Sequence, residues 1–158
     1  MEKEHQYRIS LDWTGNLGQG TKSYTAYSRD HIVRASGNAD IALTSDPAFR
    51  GSPGRFNPEQ LLVSALSSCH LLWYLHLCAI NDIVVTEYRD EARGVMIEAA
   101  DGGGYFKEVT LCPVVTITDA ARIPMAMGLH REAAKKCFIA NSCNFPVRHE
   151  PNCLAHEL

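Results

Sequence analysis

Over residues 5–13 the chain alternates, with Tyr7, Ile9, Leu11 and Trp13 on one side of an extended backbone and Arg8, Ser10 and Asp12 on the other. A period of two predicts a half-buried strand. Gly15, Gly18 and Gly20 mark a turn, and residues 23–27, 31–35 and 40–44 follow as short strand candidates separated by Ser28-Arg29-Asp30 and Ser36-Gly37-Asn38. This predicts an antiparallel meander. Residues 45–55 (SDPAFRGSPGR) are dense in breakers and are expected as a loop.

The pattern then changes period. Asn57-Pro58-Glu59 combines a capping residue, a proline suited to the first helical position and an acid at the positive end of the helix dipole. From residue 61 to residue 80 the run LLVSALSSCHLLWYLHLCAI is apolar nearly all round. Its length matches a membrane span. Three serines, two histidines and the Asn81-Asp82 exit instead favour a helix buried on most sides by protein.

Strands are predicted over residues 83–88 and 93–99, and a further one over 105–118, in which Val109, Leu111, Val115 and Ile117 face one way. Residues 124–140 place Leu129, Ala133, Cys137 and Ala140 at helical spacing, with Arg131, Lys135 and Lys136 elsewhere around the axis. This is an amphipathic helix with a cysteine on its apolar stripe. A short strand at residues 145–148 completes the order strands, long helix, strands, helix, strand, an α+β chain read as one domain over residues 1–158.

A formal net charge of -3 with scattered signs offers no basic footprint for nucleic acid. The charged start Met1-Glu2-Lys3-Glu4 contains neither an apolar signal core nor a small-residue cleavage site, so a cytoplasmic location is expected. The six cysteines are then expected as reduced thiols and become candidates for chemistry. Cys78 and Cys112 fall in apolar settings and read as packing residues. Cys143, His149, Cys153 and His156 form a C-x5-H-x3-C-x2-H string, but two prolines interrupt it and its spacing matches no standard zinc signature. No metal or cofactor is expected.

Cys69 sits near the middle of the long helix among apolar neighbours. An ordinary thiol, with a pKa of about 8.5, is only a few per cent thiolate at pH 7, so an attacking cysteine in apolar surroundings needs a cation or hydrogen-bond donors. His76 lies two turns along the helix, about 10 Å away and out of direct hydrogen-bond reach, and is expected on a backbone carbonyl; His70 is adjacent to Cys69.

The segment Asn57-Pro58-Glu59-Gln60-Leu61-Leu62, followed by Ala65 and Ser67-Ser68-Cys69-His70, resembles the central-helix motif of the OsmC/Ohr family. Tyr27-Ser28-Arg29-Asp30-His31 resembles that family's arginine hairpin, and Asp46-Pro47-Ala48-Phe49-Arg50-Gly51 the loop before its helix. His130-Arg131-Glu132-Ala133-Ala134-Lys135-Lys136-Cys137 resembles its second-cysteine helix, although Phe138 stands where many members have proline.

The resemblance implies antiparallel sheets wrapped around a long buried central helix, in an intertwined homodimer. It also implies a thiol peroxidase acting on organic hydroperoxides and recycled by a dithiol reductant, lipoyl-type or a small thiol. By the same resemblance Cys69 attacks, Cys137 resolves, and Arg29, held by Glu59, steadies the thiolate. Cys143, six residues past Cys137, is the alternative resolver. A non-catalytic redox-sensing or ligand-binding dimer is the alternative function.

Overall fold

The computed structural model describes residues 2–156. The chain divides into two compact units between Leu61 and Leu62.

In the first unit, β1 (Ser10–Trp13), β2 (His31–Arg34) and β3 (Ile41–Leu43) form an antiparallel sheet in the order β1-β2-β3. The meander holds, with two differences. The predicted half-buried strand begins only at Ser10, and its apolar side is open, Leu11 being 55% exposed. Residues 23–27 are turns rather than a strand, joined to the rest by an isolated bridge between Asn16 and Tyr27. Local side-chain bonding competes with the ladder here, because the Asn16 Oδ1 atom accepts from both Gly18 and Gly20 N–H groups. Gly15 is required by close approach: a Cβ there would meet the Ser28 carbonyl at 1.9 Å.

The breaker-rich loop contains one 3-10 turn, Pro47–Phe49, capped by Asp46. It leads to α1 (Pro58–Ile80), where the Asn57 side chain accepts from Gln60 N–H at 2.8 Å while the Gln60 side chain accepts from Asn57 N–H at 3.0 Å. This reciprocal capping box satisfies two backbone donors that an uncapped helix would leave free.

The second unit contains two three-stranded sheets, ordered β4-β7-β9 and β5-β6-β8. They are built from β4 (Val85–Asp90), β5 (Arg93–Glu98), β6 (Gly104–Leu111), β7 (Pro113–Ile117), β8 (Val147–His149) and β9 (Asn152–Ala155). The single strand predicted over residues 105–118 is two strands, β6 and β7, in different sheets. Pro113 brings no N–H to the ladder, and the Cys112 N–H is diverted to Asp90 Oδ1 at 2.7 Å. The chain changes sheet at the same level at residues 91–92, 112 and 150–151. β9 lies outside the strands expected from sequence, and both β6-β8 and β7-β9 are parallel pairs, so these sheets are mixed rather than antiparallel.

α1 packs Tyr74, Leu77 and Cys78 with Ile83, Val115, Ile117, Ala126, Ala133 and Cys153 in one core cluster, while Leu66 joins Val109 and Leu111 in a second. The expectation of burial on most sides is corrected for the single chain. Leu72 is 67% and Ile80 63% exposed, so one face is buried and another open. α1 is long and apolar enough to cross a membrane by length and composition; the two cores receive its Leu66, His70, Tyr74, Leu77 and Cys78 face.

The helix predicted over residues 124–140 breaks into α2 (Ile123–Lys136) and α3 (Phe138–Asn141), with Cys137 extended between them at φ -65 and ψ 109. Replacing Asn57 by alanine removes one half of the capping box and is expected to cost about 1 kcal/mol of stability. Urea unfolding of wild type beside Asn57→Ala measures it.

Candidate functional site

Cys137 is buried at the break between α2 and α3, and its Sγ atom accepts from Ala140 N–H at 3.4 Å. Cys69, partly buried on α1, lies side by side with it, close enough to perturb its ionisation. Burial first, and then the Cys69 thiol, push Cys137 up to about 11, so it is a protonated thiol at neutral pH. Cys143 is partly buried beside the second core cluster, with Leu66, Val109 and Leu111 as its surroundings.

Cys69 opens on a cleft of about 310 Å³ lined with Leu72, Trp73, His76 and Phe138. Trp73 stands edge-on to Phe138 at 5.7 Å between ring centroids. Phe138 is 67% exposed, which identifies it as an outer wall of the cleft rather than a core residue. Lys136, placed from sequence off the apolar stripe of its helix, has its ammonium 5.5 Å from the Trp73 ring centre. His76 is exposed and packs edge-on against Trp73, instead of being partly buried on a carbonyl.

Arg29 and Glu59 both belong to the first unit, but among the described residues no hydrogen bond or ion pair joins them. The Arg29 guanidinium lies over the Tyr24 and Tyr27 rings, 4.3 and 4.1 Å from their centroids, and donates to the Tyr27 and Tyr24 carbonyls at 2.7 and 2.9 Å. Glu59 Oε2 is buried without a partner. The expected Arg29–Glu59 pair is thus replaced by a local clamp, because two nearby carbonyls and two aromatic faces satisfy the guanidinium first.

A cluster of three histidines is the largest feature the sequence did not reveal. His70 on α1 and His130 on α2 are both fully buried, with His70 Nε2 3.0 Å from His130 Nδ1. Tyr74 stacks on His130 at 3.9 Å, and His149 from β8 tilts over His70 at 4.4 Å. The available signal was His70 at the start of an i, i+4 step to Tyr74 along the buried stripe. Burial, then the neighbouring imidazoles, lower His70 to about 3, and burial and His149 lower His130 to about 4.

The C-terminal string disperses. Cys153 is buried in the first core cluster and His149 leans on His70, and among the described residues no three His, Cys, Asp or Glu side chains converge as metal ligands. Cys78 packs in the core as expected. Cys112 instead sits partly exposed at a sheet crossing, 3.8 Å from Glu150 Oε2.

An α+β chain whose long helix presents one cysteine to another at a helix break defines a dithiol scaffold. A family model described as OsmC-like protein matches residues 51–152, and the chain belongs to that family. Among solved structures it is similar to an OsmC-like protein of unknown function from Vibrio cholerae, 27% identical at a TM-score of 0.81, covering 94% of this chain and 99% of that one. It is also similar to an organic hydroperoxide resistance protein from Elizabethkingia anophelis, 16% identical at 0.70, covering 99% and 100%. A third, from Bacillus subtilis and also named an organic hydroperoxide resistance protein, is 16% identical at 0.61, covering 94% and 98%. No curated protein matches the chain in sequence.

The buried histidines set a pH dependence. Their folded pKa values lie below the ordinary 6.5, so the unfolded chain binds protons first as pH falls. The stability they contribute is fully present above pH 6.5 and declines from there toward about 4, at a slope of about 1.4 kcal/mol per pH unit for each histidine. Urea midpoints measured between pH 7.5 and 5 should fall with acidification; a flat profile would contradict neutral burial of the pair.

Proposed function

We propose that this chain is a thiol peroxidase that reduces organic hydroperoxides to alcohols. The observation that carries the reading is the side-by-side placement of Cys69 and Cys137, with Cys69 opening on an apolar cleft. The Cys69 thiolate attacks the distal peroxide oxygen. The O–O bond breaks, the alkoxide leaves and takes a proton, and Cys69 becomes a sulfenic acid. Cys137 then condenses with it: an S–S bond forms, the sulfenic S–O bond breaks, and the hydroxide leaves as water with the Cys137 proton. A dithiol, lipoyl-type or a small thiol, reduces the disulfide by exchange and restores both thiols.

In this reading Arg29 stabilises the thiolate and the charge developing on oxygen, and Glu59 orients its guanidinium. The buried, unpartnered Glu59 oxygen supports such a role, since a carboxylate oxygen without a donor is costly. Arg29 would have to exchange its tyrosine clamp for that partner. The clamp itself favours the alternative, a non-catalytic redox-sensing or ligand-binding dimer.

The walls of Leu72, Trp73 and Phe138 favour an organic peroxide over strongly hydrated hydrogen peroxide. The open apolar faces of α1 and β1 support a homodimer in which a second copy covers them. Light scattering on the purified protein should give twice the chain mass; a monomer at micromolar concentration would contradict the dimer.

Turnover of cumene hydroperoxide with dithiothreitol tests the activity. Wild type should consume it at least tenfold faster than hydrogen peroxide, Cys69→Ser should be inactive, and Cys137→Ser should lose turnover and accumulate oxidised Cys69. Fully reduced, folded wild type without activity would leave the non-catalytic dimer. Phe138→Ala opens one wall of the cleft and should narrow the preference for cumene hydroperoxide several-fold, read as the ratio of kcat/KM values.

A further inference from the structure

We propose that His70 and His130 are a positioning pair, whose buried hydrogen bond fixes the register of α1 against α2 and thereby sets how readily Cys69 and Cys137 close into a disulfide. The proposal deepens the peroxidase reading and rests on it for the identity of the working thiols.

The pair ties together the same two parts of the chain that the disulfide would. His70 directly follows Cys69 on α1, and His130 lies on α2, which ends immediately before Cys137. His70 Nε2 and His130 Nδ1 are 3.0 Å apart, and both side chains are fully buried. Tyr74, one turn beyond His70, stacks on His130 at 3.9 Å and 11°, so the pair has little room to rotate.

Such a bond is directional, unlike the apolar contacts around it. Sliding α1 against α2 leaves two imidazoles unbonded in a core that offers no replacement: His70 Nδ1 and His130 Nε2 already lack partners. A buried polar pair of this kind selects one register among several that apolar packing alone would tolerate. The bond needs one donor and one acceptor, which two neutral imidazoles supply when one of the two facing nitrogens, His70 Nε2 or His130 Nδ1, carries its proton and the other does not. Cys137, seven residues beyond His130 at the end of the same helix, has its position set by that register.

The test is the equilibrium of the Cys69–Cys137 pair with glutathione, in which one oxidised glutathione accepts two electrons as two thiols become a disulfide and two reduced glutathiones form. It needs no hydroperoxide, so it separates this proposal from the peroxidase reading. The full-length protein is compared with His70→Leu, His130→Leu, His130→Asn and His130→Gln. Asparagine places an amide where His130 Nδ1 lies; glutamine places it where Nε2 lies. The leucine and glutamine variants should lower the equilibrium constant for disulfide formation at least tenfold, which is about 30 mV in potential. His130→Asn should return to within threefold of wild type. If the leucine variants fail to fold, the asparagine and glutamine variants carry the comparison. Wild-type equilibria in the leucine or glutamine variants, an asparagine variant as weak as glutamine, or a wild type that forms no disulfide would each overturn the proposal. Hydroperoxide turnover that is absent while the equilibria behave as expected would remove the peroxidase reading alone.

Discussion

The candidate site depends on a helix that breaks at a single residue. α2 ends at Lys136 because Cys137 leaves helical geometry, and its N–H reaches back only to the Ala134 carbonyl at 3.4 Å. The freed groups find local partners: Asn141 Nδ2 donates to the Lys135 carbonyl, and Ala140 N–H turns to the cysteine sulfur. Satisfying these end groups offsets the backbone hydrogen bonds that the break removes. One extended residue then sends Cys137 inward against Cys69 and Phe138 outward onto the cleft wall. Had α2 continued smoothly, these neighbours would point only about 100° apart on a single cylinder.

Local signals in the sequence were legible where local chemistry decides. The start of α1 follows from Asn57-Pro58, and the loop before it from its breakers. The Val109, Leu111, Val115 and Ile117 stripe is buried as alternation requires. What the sequence concealed was non-local. Nothing in the alternation over residues 105–118 marks a change of sheet, because inward and outward positions keep their period across Cys112 while the ladder partner changes. The parallel partners of β6 and β7 come from a distant tail whose prolines read as interruption.

The site shows the same division. The two cysteines were visible as stripe positions, and the structure brings them together. The histidine cluster was not, since His70, His130 and His149 come from α1, α2 and β8 and share no spacing. Phe138, noticed only as a departure from a motif, acquires meaning once the helix break turns it into the cleft. Arg29 is the opposite case: the motif assigned it to Glu59, but Tyr24 and Tyr27, five and two residues away on its own loop, hold it instead.

Family membership accounts for the fold, while chemistry at this site rests on whether two adjacent thiols do redox work. One equivalent of cumene hydroperoxide added to fully reduced protein, followed by non-reducing peptide mapping, asks this directly. The account predicts loss of two free thiols per chain and one crosslinked peptide joining Cys69 to Cys137. Six free thiols remaining, or a crosslink that joins Cys69 to Cys143 instead, would contradict it.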